Sequence, residues 1–182
     1  MPDLGRFWTV SNVLSLSRLP AAAGCMGVIL AEGPVVWSLG LILLAAMTDW
    51  LDGAIARWSG TVTEWGKVLD PVCDKIAAAG VGLILAFKGL LPVWFIVLVV
   101  ARDMLLIAGS VWLHRQVGSV HVSNTLGKVT VFAVAITFVM GLLRADAVVM
   151  DFFLWTGSGL IVLSLGTYIL RFIAIARADG TV

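Results

Sequence analysis

Long apolar runs separated by short polar breaks make up most of this chain. Each run is close to the roughly 20 residues that a helix needs to cross the hydrocarbon core of a bilayer. Four breaks carry the glycine, proline and charged residues of turns, at about 32–34, 88–92, 118–119 and 144–146. The pattern predicts six spanning helices, at about 12–31, 34–58, 67–88, 92–115, 122–143 and 151–174.

The opening residues differ from the runs that follow. Phe7 and Trp8 stand beside Arg6, which suits a short helix lying in the plane of the membrane interface. We therefore expect an all-α integral membrane protein with six transmembrane helices and an interfacial segment at residues 1–11. Residues 1–182 are expected to form a single membrane domain.

Composition supports a lipid environment. Of the 182 residues, 60% are hydrophobic and 13% are charged, whereas a water-soluble domain needs more polar residues to cover its surface. The net charge is +1 and no basic block occurs, so we expect no nucleic acid partner. Cys25 and Cys73 lack the paired spacing of redox or zinc motifs.

The distribution of lysine and arginine predicts the orientation. With six spans both termini lie on one side, and that side carries six basic residues near the span ends: Arg6, Arg57, Lys67, Arg115, Lys128 and Arg177. The other side carries mainly Lys88 and Arg144. The positive-inside rule then places both termini in the cytoplasm, with the protein in the cytoplasmic membrane if the source is bacterial.

Four aspartates interrupt the apolar pattern: Asp49, Asp52, Asp70 and Asp74. Spacings of three and four residues put each pair on one face of a helix. Each acid would cost about 2.5–3.5 kcal/mol at the centre of a membrane helix, and carboxylates facing one another repel unless cations lie between them. Carboxylate oxygens suit Mg²⁺ or Mn²⁺, and two such ions can neutralise a diphosphate. The cluster predicts a metal site facing the cytoplasmic headgroups.

Residues around the aspartates suit a phosphate-bearing ligand. Arg57 offers a guanidinium to a phosphate or a ribose. Gly53 and Gly66 leave space for a ligand to approach the backbone closely.

The stretch matches the pattern D-x2-D-G-x2-A-R-x8-G-x3-D-x3-D at every fixed position. This pattern resembles the signature of the CDP-alcohol phosphatidyltransferases. The resemblance implies that Asp49, Asp52 and Asp70 hold two metal ions and that Asp74 is a further metal ligand or the catalytic base. The residues alone do not separate ligand from base.

The resemblance also implies an activity. A phosphatidyl group would pass from CDP-diacylglycerol to an alcohol, with release of CMP, and Gly53, Arg57 and Gly66 would contact the CDP moiety. It further implies that the protein is a homodimer.

The acceptor alcohol is less closely defined. The segments DPVCDK, ARDMLLIAG and VSNTLGK look like the phosphatidylglycerol-phosphate synthase and eukaryotic-type cardiolipin synthase branches. Glycerol-3-phosphate is the leading acceptor, although Asp103 replaces a glutamate common in that branch and the GKVTVFAVA segment lacks its second lysine and its glutamine. Phosphatidylglycerol is the alternative acceptor, followed by inositol phosphate. The candidate acceptor-binding residues are Arg102, Arg115 and Lys128.

Two other classes of protein fit the four aspartates less well. A cation transporter would use the aspartates as an ion path, but the acids cluster at one end of their helices and no inverted repeat with broken helices occurs. A non-catalytic scaffold would have no reason to place four acids in apolar helices.

Overall fold

In a computed structural model the backbone is described at residues 10–59, 64–117 and 125–178, and the side chains at 16–48, 72–109 and 125–171. Within these residues the chain forms helices and no strands. The helices are α1 (Val10–Leu30), α2 (Val35–Ser59), α3 (Glu64–Phe87), α4 (Val93–Val117), α5 (Thr125–Leu142) and α6 (Ala147–Ala178). The all-helical prediction is confirmed for this part of the chain.

Each predicted run coincides with one helix. The largest difference is at α6, which begins four residues before the predicted span 151–174 and ends four residues after it. The predicted interfacial segment 1–11 lies outside the described residues, apart from the first two residues of α1. The predicted break at 118–119 lies outside them as well.

The other three predicted breaks are confirmed, and each contains a residue in the left-handed region. Glu32 and Arg144 have φ of 55° and 53°, and Gly89 has φ of 69°. At the end of α1 the Gly33 amide donates to the carbonyl of Val28 at 2.9 Å. This bond satisfies a terminal carbonyl of the helix, and the left-handed residue turns the chain away from the helix axis.

The chain divides into two compact units, and the first is Met1–Gly89. Here α1 packs against both α2 and α3. The Cys25 thiol donates to the Ser38 carbonyl at 3.8 Å, and Leu41 lies beside Gly24, so α1 and α2 are antiparallel. By contrast, α1 and α3 are parallel, because their contacts keep a nearly constant spacing along both helices from Arg18–Asp74 to Glu32–Lys88.

The second unit is Leu90–Val182, in which α6 packs against α4 and α5. Two threonine hydroxyls of α5, seven residues apart, each bond to a carbonyl of their own helix at 2.8 Å and also lie near a carbonyl of α6. Thr130 Oγ1 is 3.2 Å from Leu160 O, and Thr137 Oγ1 is 3.4 Å from Phe153 O. Between these two contacts the residue numbers rise along α5 and fall along α6, so the two helices are antiparallel.

By contrast, α4 and α6 make contacts whose residue numbers rise together along both helices. Phe95 packs on Gly157, and Arg102 lies beside Ser164. The two contacts are seven residues apart on both helices, so α4 and α6 are parallel. The Phe95 side chain is fully buried by this packing.

The described surface is strongly apolar. Large hydrophobic side chains on several helices are exposed, among them Trp37, Phe87, Phe132, Val148 and Trp155. Within the described residues, Thr125–Leu142 and Ala147–Arg171 are long and apolar enough to cross a membrane, and Leu16–Leu30 and Val35–Thr48 are shorter apolar helices. Exposed apolar side chains in such number favour contact with lipid.

Candidate functional site

The four signature aspartates lie on two helices of the first unit. Asp49 and Asp52 are in the second half of α2, and Asp70 and Asp74 are in the first half of α3. Both helices are continuous across these positions, so each pair has the spacing that places two side chains on one face. The side chains of Asp49, Asp52 and Asp70 lie outside the described residues, and their clustering stays a prediction.

The other signature residues occupy the same two helices. Gly53 and Arg57 are in α2, and Gly66 is in α3. Their surroundings also lie outside the described residues, so the predicted contacts with a CDP moiety stay predictions.

The donor set fits a hard divalent cation. Within the described side chains no three of histidine, cysteine, aspartate or glutamate lie together, but three of the four predicted ligands fall outside that part of the chain. The nearest soft donor in sequence, the Cys73 thiol beside Asp74, is buried. Four carboxylates without a thiolate are the ligands that Mg²⁺ and Mn²⁺ prefer.

Asp74 is the signature aspartate whose side chain is described. Its Oδ1 accepts a hydrogen bond from Nη1 of Arg18, which forms a salt bridge between α3 and α1. The Arg18 side chain is 5% exposed and the Asp74 side chain is 48% exposed. The carboxylate is therefore accessible, and the guanidinium lies behind it in the interior of the unit.

The sequence-based predictions did not include Arg18. It stands within the apolar run 12–31, where a charge is as unusual as the aspartates are in their helices. A charged residue inside an apolar helix needs a partner, and this reasoning would have singled it out.

The candidate acceptor residues lie in the second unit. Arg102 is buried, and its Nη1 donates to Oδ1 of the adjacent Asp103 at 2.7 Å. Its Nη2 lies 3.5 Å from Ser164 Oγ on α6. Lys128 is exposed near the start of α5, and the side chain of Arg115 lies outside the described residues. The acceptor-binding role of all three stays a prediction.

Comparison with known proteins identifies the family to which this chain belongs. A profile of the family described as CDP-alcohol phosphatidyltransferase matches residues 8–178. Because this match covers nearly the whole chain, the protein belongs to the CDP-alcohol phosphatidyltransferase family. The family resemblance of the aspartate signature is confirmed.

The similar proteins are named for two activities, and the first is cardiolipin synthesis. The chain is 36% identical over 102 residues to the cardiolipin synthase (CMP-forming) of Rattus norvegicus, a match that covers 56% of this chain and 33% of the relative. It is 32% identical over 101 residues to a putative cardiolipin synthase of Mycobacterium tuberculosis, covering 56% of this chain and 48% of the relative.

The second activity is phosphatidyl transfer to glycerol-3-phosphate. The chain is 35% identical over 102 residues to the CDP-diacylglycerol–glycerol-3-phosphate 3-phosphatidyltransferase of Bacillus subtilis, covering 55% of this chain and 52% of the relative. The matches thus span between 33% and 52% of the length of these relatives.

Proposed function

We propose that this protein transfers a phosphatidyl group from CDP-diacylglycerol to an alcohol and releases CMP. The observation that carries the proposal is the complete aspartate signature on α2 and α3, in a chain that the family profile matches over residues 8–178. The half-exposed carboxylate of Asp74 supports it, since a group that acts on substrate must be reachable.

The chain's own residues supply binding and proton transfer. Arg57 donates to a phosphate of the nucleotide, and Gly53 and Gly66 let the CDP moiety approach the helices closely. Asp74 takes the proton of the acceptor hydroxyl. The alcohol oxygen then forms a bond to the phosphorus that carries diacylglycerol. The bond from this phosphorus to the bridging oxygen breaks, and its electron pair leaves with CMP.

The four aspartates would hold two divalent cations, Mg²⁺ or Mn²⁺: Asp49, Asp52, Asp70 and Asp74. When bound, such ions neutralise the diphosphate and the charge that develops on the departing phosphate. Under this proposal Asp74 is a metal ligand, the proton acceptor or both.

Glycerol-3-phosphate is the acceptor we propose, with phosphatidylglycerol as the alternative. Relatives named for both reactions are 32–36% identical to this chain, so identity alone does not separate them. Exposed Lys128 is well suited to an anionic acceptor, together with Arg115. Buried Arg102 is restrained by Asp103, so its part in acceptor binding requires that pair to open.

We propose that all six helices span the membrane, that both termini and the site face the cytoplasm, and that the protein is a homodimer. The helix directions support the topology. Within the first unit α2 runs against α1, and α3 runs with α1. Within the second unit α5 runs against α6, and α4 runs with α6. Consecutive spans of a membrane protein alternate in this way.

One assay tests the activity. The protein purified in detergent is supplied with CDP-diacylglycerol, Mg²⁺ or Mn²⁺, and glycerol-3-phosphate, phosphatidylglycerol, inositol phosphate or serine in turn. CMP release is expected with metal and glycerol-3-phosphate, and chelation or Asp74→Asn should abolish it. Asp151→Asn is the matched control, since Asp151 is an exposed aspartate on α6 outside the signature. Metal-dependent ion flux in liposomes without CMP release would favour a transporter instead.

A further inference from the structure

Arg18 is a buried cation in the apolar helix α1, twelve residues before the helix ends at Leu30. A guanidinium removed from water is strongly destabilising unless a hydrogen-bonded anion lies against it. Asp74 on α3 provides this anion. The contact joins residues 56 positions apart in the sequence, so it exists because α1 and α3 pack in parallel.

The two side chains of this pair differ in accessibility. Arg18 is 5% exposed, whereas Asp74 is 48% exposed. A lipid or nucleotide phosphate that reaches Asp74 meets the carboxylate, and the guanidinium lies behind it. Arg18 is therefore placed to act on Asp74 and not on a substrate.

A charged hydrogen bond from Nη1 to one carboxylate oxygen restricts rotation of the carboxylate, because the planar guanidinium donates in a fixed direction. Groups that transfer protons or bind cations need such restriction. A displacement of about 1 Å at a catalytic group can cost about 100-fold in rate. We propose that Arg18 is a positioning residue for the reaction, holding Asp74 in the orientation in which its carboxylate serves the active site. This inference rests on the proposed function, in which Asp74 takes part in phosphatidyl transfer.

The packing of α1 on α3 has other supports besides this pair. Met26 lies against Gly80, and Lys88 Nζ lies 3.0 Å from Glu32 Oε1. The Lys88–Glu32 pair joins the turns that directly follow these two helices, with the same spacing in sequence and fourteen residues further along the chain. It supplies a control, since it is an ion pair between the ends of the same two segments and lies away from the signature.

The experiment compares Arg18→Gln, Arg18→Lys and Lys88→Gln with the wild type in the CMP-release assay, with kcat and KM for CDP-diacylglycerol determined separately. Arg18→Gln is expected to lower kcat by about 100-fold, with KM near the wild-type value. Arg18→Lys should recover part of the loss, because it keeps the charge but lacks the planar fork. Lys88→Gln should match the wild type. Elution as a single species in size-exclusion chromatography checks that each variant is folded.

Wild-type kcat in folded Arg18→Gln would overturn the positioning role, and so would a loss confined to KM. If Arg18→Gln does not fold, Arg18→Lys decides: reduced kcat at unchanged KM supports the role, and wild-type kcat overturns it. A wild-type protein that releases no CMP with any acceptor would contradict the proposed function itself. Wild-type turnover that is insensitive to Arg18 would remove only this inference.

Discussion

Arg102 and Asp103 are neighbours in sequence on α4 and form a salt bridge of 2.7 Å in the interior of the second unit. Arg102 Nη2 also lies 3.5 Å from Ser164 Oγ on α6. Among the described residues Arg102 Nε has no hydrogen-bond partner. The guanidinium therefore depends on Asp103 for the compensation of its charge.

Asp103→Asn should leave the buried positive charge of Arg102 without its carboxylate partner. We expect a loss of about 3 kcal/mol in the free energy of unfolding, the usual cost of removing one partner of a buried pair. Replacing both residues, as Arg102→Met with Asp103→Asn, should restore much of this loss because no charge is left uncompensated. Unfolding titrations in mixed micelles measure both variants. A double variant less stable than Asp103→Asn would contradict the prediction.

Lys88→Gln should change stability little. The salt bridge to Glu32 is partly exposed and lies just beyond the carboxyl-terminal ends of α1 and α3, and exposed pairs contribute about 0–1 kcal/mol. The same unfolding titration, run at low and high salt, measures the difference. A loss as large as that of Asp103→Asn would show that this exposed pair has an unexpected structural role.

Gly141→Ala should destabilise the second unit by about 1–3 kcal/mol through overpacking. An added Cβ would lie 3.0 Å from the Leu91 side chain and 3.2 Å from the backbone carbonyl of Leu90, which has little freedom to move. Gly159→Ala on α6 is the control, because nothing lies within 4 Å of its Cβ. Since alanine favours a helix over glycine, the control should be neutral or more stable by up to about 1 kcal/mol.

Thr130→Val combined with Thr137→Val should remove both hydroxyl bonds from α5 to α6 with little change of shape. Hydrogen bonds between membrane helices contribute about 0.6 kcal/mol each, so we expect a loss of about 1 kcal/mol. Both hydroxyls also bond to a carbonyl of α5 at 2.8 Å. Thr48→Val is the control for that part of the effect, since the Thr48 hydroxyl bonds to Leu44 O and Ala45 O of its own helix. A loss per threonine equal to that of Thr48→Val would show that the contacts with α6 contribute nothing.

Lys128→Gln should raise KM for glycerol-3-phosphate about tenfold, the size expected for one hydrogen bond to a charged group. KM for CDP-diacylglycerol should stay unchanged, because the predicted CDP contacts are on α2 and α3. Steady-state CMP release at varied acceptor concentration measures the effect, with Lys88→Gln as a matched lysine variant. An unchanged acceptor KM would remove Lys128 from the acceptor site.

The sequence by itself determined the helices, most of their ends and the signature. These features are local: an apolar run of about 20 residues favours a spanning helix, and Glu32-Gly33-Pro34 ends one of them through turn chemistry. The spacings of Asp49 with Asp52 and of Asp70 with Asp74 indicate shared helix faces without any knowledge of packing.

Only the tertiary structure decided which helices meet and which polar groups pair. Arg18 finds Asp74 because α1 and α3 are parallel neighbours, a relation that no local pattern contains. Arg102 lies beside Ser164 because α4 and α6 pack in parallel with matched spacing. A buried charge can be recognised in a sequence as needing a partner, but the partner's identity depends on helix packing across many residues.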